Sequence, residues 1–161
     1  MQQSSSKGDI DFKEKAGNFP CLEKFKMKAA NLINEFNSVI SQFQNANNFL
    51  ASSKKLGNLL LEEKEDFWRV QGELALSVVL AQFLSVSKDM RFEAFTIFVN
   101  NLGFSVSEEF LSYTVKERFR SEVERFLTQS PQTMRASIEV LQNAVKRVVT
   151  PFFLTSGESN E

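Results

Sequence analysis

From Leu22 to Leu50 the apolar residues Leu22, Phe25, Ala29, Leu32, Phe36, Val39, Phe43, Ala46 and Leu50 recur at alternating steps of three and four. That spacing holds one stripe of an α-helix against a partner for about four heptads. Pro20 suits a first helical turn, and Lys54 and Lys55 followed by Gly57 form the usual stop. The pattern therefore predicts one helix of about 36 residues, about 54 Å long. Its weakest point is Asn45, Asn47 and Asn48, because asparagine is a poor helix former. Between Lys28 and Lys54 only Glu35 is charged, and the side away from the stripe carries Asn, Ser and Gln. A solvated face ordinarily holds more ion pairs. Asn34, Asn37, Ser41, Asn45 and Asn48 are therefore candidates for a partner face, beside the plainer reading of a low-charge exposed surface.

Four further helices follow from the same patterning. Over 59–86, Asn58 is placed to cap, and Glu62, Glu63, Glu65 and Asp66 put negative charge at the positive end. Leu60, Phe67, Val70 and Leu74 make an amphipathic first half. From Leu74 to Val86 the apolar residues point in every direction, which implies burial on all sides. Gly72 costs about 1 kcal/mol relative to alanine, which favours a close helix crossing over a bend. The next helix, 88–102, has Ser87 as cap, apolar residues on several sides (Phe92, Phe95, Ile97, Phe98, Val99), and a stop at Gly103 with Phe104 against Val99.

Ser105 with Glu108 reads as a capping box for a helix running to Gln129. Its stripe is Val115, Phe119, Val123 and Phe126, and Arg118–Glu122 and Arg120–Glu124 have ion-pair spacing. A last helix opens at Ser130 and Pro131, faces inward with Met134, Ile138, Leu141, Val145 and Val148, and ends before Pro151. The expected fold is all-α: a single bundle of four to five mostly antiparallel helices, residues 19–154, built around the long N-terminal heptad-patterned helix. A polar arm, 1–18, precedes it, and a polar tail, 155–161, follows Phe152, Phe153 and Leu154, which are expected to pack back on the bundle. Such a stripe is common to many bundle proteins and names no family.

Composition narrows the function. The 161 residues carry 19 basic and 20 acidic side chains, a net charge of −1. Nucleic-acid binding thus lacks its main electrostatic driver. The most apolar uncharged run, Leu74 to Ser87, has 14 residues, short of the roughly 20 that a transmembrane helix needs. One cysteine, Cys21, excludes an intramolecular disulfide, and Met1 to Lys15 has no apolar signal segment. The cytoplasm fits slightly better than a trimmed secreted form. Seventeen Phe stand against one Trp and one Tyr; phenylalanine is an apolar body with no polar tip, so most are expected in the core.

With no histidine in the chain, the commonest general base and transition-metal ligand are missing. Cys21 with Lys24 reads as an ordinary thiol at a helix start. The acidic group Glu62, Glu63, Glu65 and Asp66 lacks the glycine-centred spacing of a calcium loop and reads as a solvated helix start. Tyr113 and Lys116 miss the Tyr-x-x-x-Lys spacing of short-chain dehydrogenases, because Glu117 stands at the fourth place. No phosphate loop or dinucleotide fingerprint occurs. The chemistry expected is non-enzymatic, with no cofactor and no metal. The first expectation is an interaction module that binds a protein partner or self-associates through the first helix. The alternative is a carrier of an apolar ligand or lipid in a cavity lined by Phe67, Leu74, Phe83, Phe95, Phe98 and Phe119.

Overall fold

A computed structural model of the chain describes residues 27–61 and 65–160, with the side chains of 149–160 left aside. The expected N-terminal arm, the Pro20 start, Cys21, Glu62, Glu63 and the packing of Phe152 to Leu154 lie outside the described residues. Seven α-helices follow: α1 (residues 27–41), α2 (Ala46–Leu60), α3 (Asp66–Val86), α4 (Phe92–Asn100), α5 (Tyr113–Arg118), α6 (Arg120–Leu127) and α7 (Pro131–Asn160). A short 3-10 turn, Glu108–Phe110, precedes α5. The described residues contain no strand, so the all-α class holds. One compact unit spans Leu32–Thr150; residues 27–31 and 151–160 belong to a second, whose described parts are helix ends.

The centre of the Leu32–Thr150 unit is α3. Every residue from Leu74 to Leu84 is buried, as an all-round apolar helix requires. Helices α2, α4, α5 and α6 all pack on it. Ser77 satisfies its hydroxyl by donating to the Leu74 carbonyl at 2.9 Å. Gln82 accepts the Ser112 N–H at 2.8 Å and so ties the start of α5 to the core. Gly72 sits where Val140 of α7 and Leu61 crowd the backbone: a Cβ there would lie 3.0 Å from Val140 Cγ1 and 3.2 Å from Leu61 Cδ1. The crossing read from Gly72 is thus present.

The long first helix is not. The chain leaves helical geometry at 42–45, and Asn45, extended at φ −111° and ψ 112°, caps α2 by accepting the Asn48 N–H. Two contacts favour the break. Arg118 donates to the carbonyl of Phe43, and the Phe43 ring packs on Phe49 and Phe119. Gly57 does not stop the helix either. It lies buried inside α2, where a Cβ would sit 3.3 Å from Glu73 Cγ and 3.5 Å from Leu76 Cδ2, so it serves a close approach to α3.

Other boundaries move for local reasons. Asn58 does not cap α3; it belongs to the last turn of α2, and its Oδ1 accepts from Arg69 at 2.6 Å. Ser87 does not cap α4, because its hydroxyl donates to the Asp89 carbonyl and the Asp89 carboxylate takes the Arg91 N–H, folding 87–91 into a turn. No described glycine has positive φ, so Gly103 forms no left-handed stop; α4 ends at Asn100 with Asn101 as its cap, and Phe104 is exposed under the Arg135 guanidinium rather than against Val99.

The capping box at Ser105 and Glu108 does not form. Val106 and Leu111 are both buried, and five residues apart on one helix they would face roughly 140° away from each other. Instead the Val106 N–H donates to Met134 Sδ, and α5 starts at Ser112, whose Oγ accepts the Val115 N–H. Phe119, at φ −124° and ψ 43°, then separates α5 from α6. The expected ion pairs are replaced by Arg120 with Glu117 at 2.8 Å and by Arg118 on Phe43. The stripe of Val115, Phe119, Val123 and Phe126 is buried as the spacing requires, and so are Met134, Ile138, Leu141 and Val145, with Val148 half-buried. Ser130 caps α7 by accepting the Thr133 N–H. That helix runs on through Pro151, although a proline inside a helix withdraws one donor and crowds the carbonyl four residues before it.

Candidate functional site

The five residues of the expected partner face, Asn34, Asn37, Ser41, Asn45 and Asn48, are all exposed. They do not form one helix face, because the break at 42–45 separates the first three on α1 from Asn48 on α2. Asn45 is already occupied in capping, and the Ser41 hydroxyl donates to the Ser38 carbonyl at 2.7 Å.

The six residues of the expected cavity fall in four places. Phe67 is 54% exposed and sets its ring edge-on to Trp68. Phe83, Phe95 and Phe98 form one cluster, with Phe83 at 5.4 Å from each of the other two rings. Phe119 belongs to another, with Phe43 and Phe49, and Leu74 is buried at the edge of a groove. Of the twelve Phe with described side chains, seven are buried.

Two surface clefts merit a chemical reading. The larger, about 510 Å³, lies beside α5 and α6 and is lined by Glu108, Tyr113, Lys116, Glu117 and Arg120 among others. Its charges answer one another: Lys116 reaches Glu108 at 3.8 Å and Arg120 reaches Glu117 at 2.8 Å. The smaller, about 300 Å³, runs between α2, α3 and α6 over Ser53, Leu74 and Ser77. Both serines donate to carbonyls of their own helices, Leu50 and Leu74. Among the described residues no three acidic or thiol side chains gather into a cation site, and no helix is long and apolar enough to cross a membrane.

What sequence reading missed is the placement of exposed apolar side chains. Nine large ones are exposed among the described residues, and six of them, Val86, Met90, Ile97, Phe104, Phe110 and Tyr113, fall between the end of α3 and the start of α5. Ile97 is 61% and Phe104 70% exposed. Phe98 links the set to the core, its ring 5.9 Å from Phe110 on one side and 5.4 Å from Phe83 on the other. The signal lies in the apolar residues on several sides of 92–99, which show surplus but not which members are left uncovered.

The described residues thus form an all-helical fold with six exposed large apolar side chains between the end of α3 and the start of α5. No known family, curated protein or solved structure matches the chain.

Proposed function

We propose that this chain is a non-enzymatic helical-bundle interaction module that binds a protein partner through the apolar side chains of 86–113. The observation that carries the reading is that six of the nine exposed large apolar side chains among the described residues fall within 86–113, around α4. Aromatic and methionine side chains are the types enriched at such surfaces. The exposed Asn34, Asn37 and Asn48 offer a second, uncharged surface for the same purpose. The carrier reading has less support, since the rings of Phe83, Phe95 and Phe98 pack on one another.

The test compares immobilised parent chain with the double variant Ile97→Asp/Phe104→Asp. The two side chains are 61% and 70% exposed, so circular dichroism and the denaturation midpoint should stay close to the parent's. A protein retained by the parent in near-stoichiometric amount should be lost from the variant. Recovery of the same proteins at the same levels by both chains would refute the proposal.

A further inference from the structure

We propose that the turn at 42–45 is a hinge, and that its opening lets the chain exchange α1 with a second copy of itself. The break interrupts the helix but not its register. Leu32, Phe36, Val39, Phe43, Ala46, Leu50, Ser53, Gly57 and Leu60 keep alternating steps of four and three across it, and each is buried or half-buried. A straight helix through 42–45 would therefore present the same continuous stripe.

The break is also small. The Gln42 N–H donates to Ser38 and Val39, Phe43 to Ile40, and Asn45 to Gln42, so helical or 3-10 bonding continues almost to Asn45. Asn45, at φ −111° and ψ 112°, must turn to about −63° and −42° for a continuous helix. What holds the bend comes from far along the chain. The Phe43 carbonyl, which in a continuous helix would accept from Asn47, accepts from Arg118 instead, and the guanidinium lies 4.6 Å from the Phe43 ring centroid and 5.0 Å from that of Phe119.

The occupant follows from what α1 covers. Leu32, Phe36 and Val39 are fully buried, and Phe36 lies 5.3 Å from Phe92 and 5.5 Å from Phe95 of α4. An α1 that swings away leaves that bed bare, and the surface matching it residue for residue is α1 of a second copy. Exchange restores the contacts between α1 and its bed in both copies and gives up only those that hold the turn, which is how swapped dimers form at low cost.

The experiment uses the full chain in three forms: parent, Arg118→Ala, and Arg118→Ala/Ala46→Pro. Ala46 is the first residue of α2, where proline suits the bent form and the extended Asn45 before it. In the middle of a straight helix a proline is strongly disfavoured. Each chain is refolded at low and high concentration and its mass distribution read by sedimentation velocity. Loss of a charged donor from the Phe43 carbonyl should raise the dimer-to-monomer ratio roughly tenfold or more, the dimer should persist on dilution, and Ala46→Pro should return the chain to monomer. A chain carrying Arg118→Ala that stays monomeric throughout, or a dimer that survives Ala46→Pro, would overturn the proposal. Should Arg118→Ala not fold, Asn45→Ala with Arg118 in place removes the cap, favours the straight helix and is read in the same way.

Discussion

Gln82 is a polar residue in the middle of eleven consecutive buried positions of α3, 74–84, and the bond it accepts from the Ser112 N–H at 2.8 Å fixes where α5 begins. Ser112 in turn caps α5 through its hydroxyl, which also lies 2.8 Å from that of Ser85. Gln82→Met keeps the length and nearly the volume of the side chain but removes the acceptor. A volume-conserving change costs less than about 1.5 kcal/mol in packing, and burying a thioether in place of an amide recovers part of that. Stranding a partly buried N–H costs about 1–3 kcal/mol. The net expectation is a loss of about 1–2 kcal/mol, or roughly 2–8 °C in Tm for a chain of this size. Urea denaturation followed by circular dichroism should show a lower midpoint with an unchanged slope, and hydrogen exchange should show the Ser112 amide losing protection. A midpoint equal to the parent's, with Ser112 still protected, would refute the claim that this bond anchors α5.

Three further outcomes follow from particular contacts. The Arg91 guanidinium grips Asp89 at 2.9 and 2.7 Å and holds its carboxyl down to about 2 from the ordinary 3.8. Because the folded value is depressed, the pair's contribution is present above pH 3.8 and is lost as pH falls toward 2; carbon-detected NMR titration should find the low value, and Arg91→Ala should return it toward normal. Gln142→Ala removes the donor to the Val99 and Leu102 carbonyls at the end of α4 and should lower stability by about 1–2 kcal/mol in denaturant titration. Gly72→Ala and Gly57→Ala should part ways in the same assay. Each gains about 1 kcal/mol of helix propensity, but at Gly72 the new methyl meets Val140 at 3.0 Å and overpacking of about 1–3 kcal/mol outweighs it. At Gly57 the nearest atom, 3.3 Å away, belongs to the flexible Glu73 side chain, so that variant should match or exceed the parent.

Much of the core was legible, though not at Phe67 and Val70, which the stripe of the second helix includes and the fold leaves exposed; where the helices end often was not. The all-round burial of α3, the stripes of α5 to α7 and the crossing at Gly72 all follow from short-range spacing, which tertiary packing merely uses. The breaks at Asn45 and Phe119 depend on partners distant in the chain. Nothing near Phe43 reveals that Arg118 will take its carbonyl, and nothing near Ser112 reveals that Gln82 will anchor its N–H. Gly57 and Gly103 were read as stops because glycine permits positive φ, yet neither uses it; at Gly57 the missing side chain matters instead. The candidate site was the least legible part, since a surplus of apolar residues in 92–99 does not say that Ile97 rather than Phe95 faces outward.

The breaks themselves have a geometric reason. The buried helix α3 has 21 residues and is thus about 31 Å long, whereas an unbroken helix over Leu32–Leu60 would measure about 43 Å. A straight rod of that length carries its stripe past the end of what it must cover, leaving apolar residues bare. Breaking it at 42–45 lets α1 cover α4 through Phe36 while α2 covers α3 through Leu56 and Leu60. The second break, at Phe119, does the same for α5 and α6, which both pack on α3. The two breaks meet: the Phe43, Phe49 and Phe119 rings pack together with Arg118 across them. Each break leaves helix-end groups to be satisfied, and Arg118 at the end of α5 supplies the donor that the end of α1 needs. The heptad stripe therefore encodes which side of the first segment is buried, while the length of α3 and the reach of Arg118 decide that the segment is two helices.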